Sequence, residues 1–193
     1  TESVKRELVD RPLETKKFKF EAIQIERLIE KNLLEIVDNN FIRQETQKLL
    51  SFANEIFKAY KNYMKIVHYA EMSVIAAAIN QNADAIVVDE KITRFLIENP
   101  RMIIEILRKT LHTSISINES NLKELKNKTR NIKTIRSVEL ATIAYEFGIL
   151  SDYITKIPDA RKNLLESVLW SVKLNGCAVP KEEIEQLVNL EIK

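Results

Sequence analysis

Apolar positions recur at helical spacing along most of this chain, and only a few short runs break the pattern. Thr1 to Leu8 opens as a helix with Thr1 as N-cap, Val4 and Leu8 on one face and Glu7 beside them. Pro12 ends or bends it. Phe18, Ala22, Ile25, Leu28 and Ile29 form the stripe of a second helix, which Asn32 stops. Leu33 to Val37 reads as a short strand. Asp38-Asn39-Asn40 then caps a long helix carrying Ile42, Leu49, Leu50, Phe52, Ala53, Ile56, Phe57 and Tyr60. After a break over Lys61 to His68 comes the stretch on which the reading centres, Glu71 to Arg94. Its helical stripe is Met72, Ile75, Ala76, Ile79 and Ala83, and it turns at Asn80-Gln81-Asn82. Ala85-Ile86-Val87-Val88 follows as a buried strand ending on Asp89 and Glu90. Strands separated by helices of this length require crossovers, which predicts a parallel sheet.

Beyond Arg94, Ile97 to Leu111 reads as a helix with Arg108 and Lys109 in its last turn, where cations suit the dipole. Ser114 to Ile117 alternates polar and apolar, as an edge strand does. Glu119 to Arg136 is a charged connection, and Arg136 to Lys193 is helical. Gly148 ends a helix from Val138 to Phe147, Asn175-Gly176 ends another, and Pro180 opens the last. The expected fold is helix-rich α/β, with an α/β domain at 1–118 and an all-α extension at 119–193 packed on it.

Composition narrows the class. Only 2 of 193 residues are Gly and 4 are Pro, which favours helix over tight hairpins. Lys and Arg number 30 against 28 acids, so electrostatic recognition has to come from local clusters rather than overall charge. The single cysteine, Cys177, excludes an internal disulfide and suits a reducing, cytoplasmic compartment. Richness in Ile, Lys and Glu suits a thermophile. No run approaches the roughly 18 apolar residues of a membrane span, and no signal peptide is visible.

The chemistry lies in the acids. Strand carboxyl ends are where open parallel sheets bind ligands, and Asp89-Glu90 ends such a strand. Carboxylates brought together repel unless a cation sits among them, and oxygen clusters suit magnesium or manganese. The alternative is a charged helix start and an acidic turn with no metal.

TxxVxxEL at Thr1 to Leu8, the alanine-rich ExxxxAAA that begins at Glu71, and NADAIVVDE followed by Arg94 together resemble a PIN-like domain. Asp89 follows Glu71 by 18 residues (89 − 71), the gap between the family's last two acids. The segments SVELATIAYEFGIL and LLESVLWSVKLNGCAVPKEEIEQL are similar to the tail of an archaeal and bacterial branch. The resemblance implies a three-layer fold with helices around a parallel sheet, and a metal-dependent ribonuclease site of three or four acids. By position, Glu7, Glu71 and Asp89 match the catalytic and metal-binding acids, with Glu90 as an accessory ligand of Mg²⁺ or Mn²⁺. Arg94 would pair with an acid or a phosphate. The family's opening strand and its first aspartate have no counterpart before Thr1, which implies an N-terminal segment upstream in the natural protein.

Lys123, Lys126, Lys128, Arg130 and Lys133 form a local basic excess that would track an RNA backbone, or else a solvated face. No aromatic residue interleaves with it. His68 and His112 lie in no ligand-spaced motif, and Cys177 reads as a small packed residue. No glycine-rich phosphate loop exists. RNA is therefore the expected partner, together with a second copy of the chain or a regulatory protein, and no membrane. Two other readings stand beside the nuclease: a PIN-like module that binds RNA or protein without cleaving, and a helical interaction protein.

Overall fold

The computed structural model describes residues 1–192. The protein is α/β and 63% helical, with small sheets. Eleven α-helices and five short strands alternate among the described residues. The first helical run comprises α1 (Glu2–Lys5), a π turn (Arg6–Asp10) and α2 (Arg11–Leu13). Thr1 Oγ1 accepts the Val4 N–H, as expected of an N-cap. The π turn lies just before Pro12, which has no N–H and whose ring collides with the carbonyl four residues back; widening the turn relieves that clash. The inserted residue also rotates the buried face, so Val9 is 1% exposed and Leu8, expected inside, is 50% exposed.

Helix α3 (Lys19–Glu30) ends at Asn32, which takes positive φ as a stop residue does. Leu33 to Val37 is not a strand: Leu33 and Leu34 are exposed, and no neighbouring strand accepts the run. Asn39 caps α4 (Asn40–Asn54) by accepting the Ile42 N–H at 2.9 Å. That helix stops six residues before Tyr60 (60 − 54), and the apolar Ile56 and Phe57 beyond it enter a sheet instead.

Strand β1 (Phe57–Ala59) is the middle of a three-stranded antiparallel sheet, flanked by β2 (Asn62–Tyr63) and β4 (Ser116–Ile117). Lys58 faces Tyr63 on one side and Ser116 on the other. The two-residue turn between β1 and β2 puts Tyr60 and Lys61 both at positive φ, which the right-handed twist of a hairpin demands and which non-glycine residues adopt at a cost. Helix α5 (Tyr69–Gln81) leads through Asn82, at positive φ, into β3 (Ala85–Val87). Strand β3 pairs with β5 (Lys133–Ile135), which the sequence reading placed in a charged connection. Lys133 N–H donates to Asp84 O and Val88 N–H to Ile135 O, so partners rise together along both strands and the pair is parallel. The expected helix at 97–111 is two, α6 (Lys91–Glu98) and α7 (Arg101–Leu111), interrupted at Asn99-Pro100 because proline cannot continue α6.

The chain divides into two compact units, one of Thr1–Ile86 with Phe95–Lys133, the other of Val87–Arg94 with the chain from Thr134 onward. In the first, α4 and α5 pack together and α8 (Glu119–Thr129) lies on α4. Its core includes Ile42, Leu49, Phe57, Met72, Ile75, Leu96, Ile103 and Leu125, each fully buried. In the second, α10 (Ala160–Leu174) packs on α9 (Ser137–Glu146) and on α11 (Lys181–Glu191). Val138, Tyr145, Leu165, Leu169, Cys177, Val179, Ile184 and Val188 form its core. Gly148, at positive φ, ends α9 as expected.

Candidate functional site

In the first unit the elements converge on the start of α5. Asn54, the last residue of α4, accepts the N–H groups of Ile66 (2.7 Å) and Val67 (3.1 Å) and donates to Val67 O at 3.1 Å. These three bonds fix the extended segment that delivers His68 to the N-cap of α5. Asn54→Ala should lower stability by about 1–2 kcal/mol, read from the midpoint of urea unfolding, because it strands partly buried backbone groups. Glu71, at the third position of the helix, accepts the His68 N–H at 2.8 Å. It thereby satisfies one of the donors that a helix start leaves unpaired.

An open pocket of about 520 Å³ lies at this point, lined by Ser3, Arg6, Glu7, Arg11, His68, Tyr69 and Ala70. Glu7, one of the three expected catalytic acids, therefore faces the first turn of α5. The Ser3 hydroxyl lies 2.7 Å from that of Ser73 and 3.0 Å from that of Thr1, which ties the first helical run to α5. Neither Arg6 nor Arg11 makes an ion pair among the described residues.

In the second unit, Asp89 follows β3 and meets the first turn of α9. Its carboxylate accepts the Ser137 N–H at 2.8 Å and the Ser137 hydroxyl at 2.5 Å. Burial opposes its ionisation, but these bonds, the Cys177 thiol and the charge of Arg136 outweigh it and hold Asp89 below the ordinary aspartate range. Cys177 is the complement: burial first, then the bond to Asp89, push its thiol up to about 11. A thiol held protonated is no nucleophile, in keeping with a packed residue. Glu90 accepts the Thr93 N–H at 2.5 Å and so caps α6.

Arg136, Glu139 and Glu183 form a charged knot that sequence reasoning missed. Arg136 Nε donates to Glu139 at 2.7 Å, Nη1 to Glu183 at 3.2 Å, and Nη2 to both acids. Glu139 also accepts the Arg136 N–H at 2.5 Å. The hydrogen bond from Arg136 holds Glu183 below the glutamate range against the effect of burial, and the charge of Arg94 adds to this. Arg94, expected beside an acid or a phosphate, thus contributes to the field of an acid.

The basic run of α8 is not uniform. Lys123, Lys126 and Arg130 are exposed, with spacings of three and four that share one helical face, and Lys133 is exposed in β5. Lys128 instead binds Glu45, a carboxylate 6% exposed on α4. Lys126 lies as close in helical register to Leu122 and Thr129, so no local signal in the sequence separates Lys128 from the others. Among the described residues no three His, Cys, Asp or Glu side chains are grouped to hold a metal ion, and no helix is long and apolar enough to cross a membrane. No family model, curated protein or solved structure matches the chain.

Proposed function

We propose that this chain is a PIN-like domain that binds RNA and hydrolyses its phosphodiester bonds with Mg²⁺ or Mn²⁺, the three-layer parallel architecture being part of the proposal. The observation that carries this reading is Asp89, an acid at the carboxyl end of a strand in a parallel pair, kept ionised by fixed donors. Carboxylate oxygens are the hard donors such ions take. Magnesium in particular keeps several waters and binds through one or two carboxylates plus a substrate phosphate, so a preassembled group of three is not needed. Asp89 and its neighbour Glu90, both in the second unit, would hold the ion; Glu7 and Glu71, the other two acids that the resemblance nominates, belong to the first unit. A bound divalent ion supplies a water of lowered pKa and charge to offset that on the phosphoryl oxygens. Ser137 orients Asp89, and the exposed Lys123, Lys126, Arg130 and Lys133, with Arg94, supply positive field for the polyanion.

A second reading, an RNA-binding PIN-like module without cleavage, is favoured by the absence of a three-acid group among the described residues. Cleavage of a single-stranded RNA by the full-length protein with Mn²⁺ separates the two. Asp89→Asn should lower the rate at least ~100-fold, since even partners that only orient a metal ligand matter 10- to 100-fold. Retained secondary structure by circular dichroism shows that the loss is chemical. Equal rates for the two proteins remove Asp89 from the mechanism. Binding with no cleavage in either leaves the module.

A further inference from the structure

The π turn does more than accommodate Pro12. In an unbroken α-helix two residues five apart stand about 140° apart around the axis, on different faces. Here the Arg11 N–H bonds to Arg6 O, an i to i+5 closure that brings these two residues back over one another. Arg6 and Arg11 consequently line the same pocket, with Ser3, His68 and Tyr69, 38% exposed, beside them. Two arginines that make no ion pair among the described residues, each with a planar donor fork, match a phosphate, and an exposed aromatic ring next to them matches a base. The α8 lysine face has charge but no ring; this pocket has both.

The geometry points to a nucleotide-binding subsite here: one phosphate of a single-stranded RNA held by Arg6 and Arg11, with the adjoining base stacked on Tyr69. It deepens the RNA reading above, and only the role of Glu7 depends on the nuclease. Glu7 faces the same pocket and repels a phosphate when no cation is present. Sequence spacing hid the subsite, because helical geometry would have put Arg6 and Arg11 on separate faces.

The test is binding of a fluorescent oligouridylate by the full chain in EDTA, where cleavage is silent. Arg6→Gln with Arg11→Gln should weaken binding at least ~10-fold. It should also reduce the slope of log K against log salt by about 0.7, the value for one neutralised phosphate on a single strand. Tyr69→Ala should weaken binding ~5-fold or more without changing that slope, by loss of stacking. Glu7→Gln should tighten it. All four substitutions are of exposed residues, and unchanged melting temperatures show that the fold is kept. Unaltered affinity and slope in the double arginine variant overturn the subsite, as does polyglutamate competing as well as RNA at equal charge. If binding follows these expectations and Mn²⁺ yields no cleavage, the nuclease reading fails and the subsite stands.

Discussion

Lys128→Met is expected to lower stability by about 2–4 kcal/mol, whereas Lys123→Met and Lys126→Met should stay within about 0.5 kcal/mol of the parent. The three lysines lie on one short helix and look equivalent in the sequence, yet their surroundings differ. Glu45 is 6% exposed at its side chain, and Lys128 supplies its closest counter-charge. Lys48 stands 3.8 Å from the other carboxylate oxygen but is 61% exposed, so it compensates only in part. Removing Lys128 leaves a carboxylate that has lost its solvent and most of its pairing. That state is far worse than a neutral, well-packed one. The double variant Glu45→Leu/Lys128→Met should therefore recover to within about 1 kcal/mol of the parent. Urea unfolding of the parent and the four variants checks this; a constant m-value shows that the midpoint shift is a stability change. A double variant as unstable as the single would mean that volume, not charge, decides the site. The same result bears on RNA: an ammonium committed to Glu45 is a poor phosphate contact, which leaves Lys123 and Lys126 on α8, with Arg130 just past its end, as the accessible cations.

What could be read from the sequence was whatever local spacing determines. Helices formed over most of the expected stripes, though α4 stops short of Tyr60 and 97–111 is broken in two, and Asn39, Asn82 and Gly148 sit where their chemistry puts them, as a cap or at positive φ. The β1–β2 hairpin was hidden because its turn residues are Tyr60 and Lys61, not the Asn-Gly that usually signals such a turn. Strand β5 was hidden for a different reason. Lys133-Thr134-Ile135 has no pattern of its own and becomes a strand only by pairing with β3. Leu33 to Val37 shows the converse, an apolar run that finds no partner and stays irregular. The acids follow the same logic. That Glu71 and Glu90 serve helix starts was legible in principle, since each lies three residues from the group it bonds. Asp89 was not, because its donor is 48 residues away in α9.

Arg136→Ala should cost about 3 kcal/mol near neutral pH, and the loss should shrink in acid. Arg136 is 11% exposed at its side chain and joins two helix starts, with Glu139 in the first turn of α9 and Glu183 in the first turn of α11. Acids at helix starts are themselves favourable, but two carboxylates converging on one guanidinium repel each other once it is gone. Arg136→Lys should recover only part of the loss, because a single ammonium cannot present separate forks to two carboxylates. The pH dependence has a definite sign. Glu183 is held below its unfolded value of 4.5, so its stabilising contribution is complete above that pH and is lost as pH falls through the lower folded value. Arg136 itself is raised by Glu183 and stays charged throughout, so it adds no slope. The stability gap between the parent and Arg136→Ala should thus be flat from neutrality down to about pH 5 and narrow below it. Thermal unfolding at stepped pH measures the gap directly. A gap that stayed constant into acid would show that Arg136 acts through packing of its aliphatic stem rather than through Glu183.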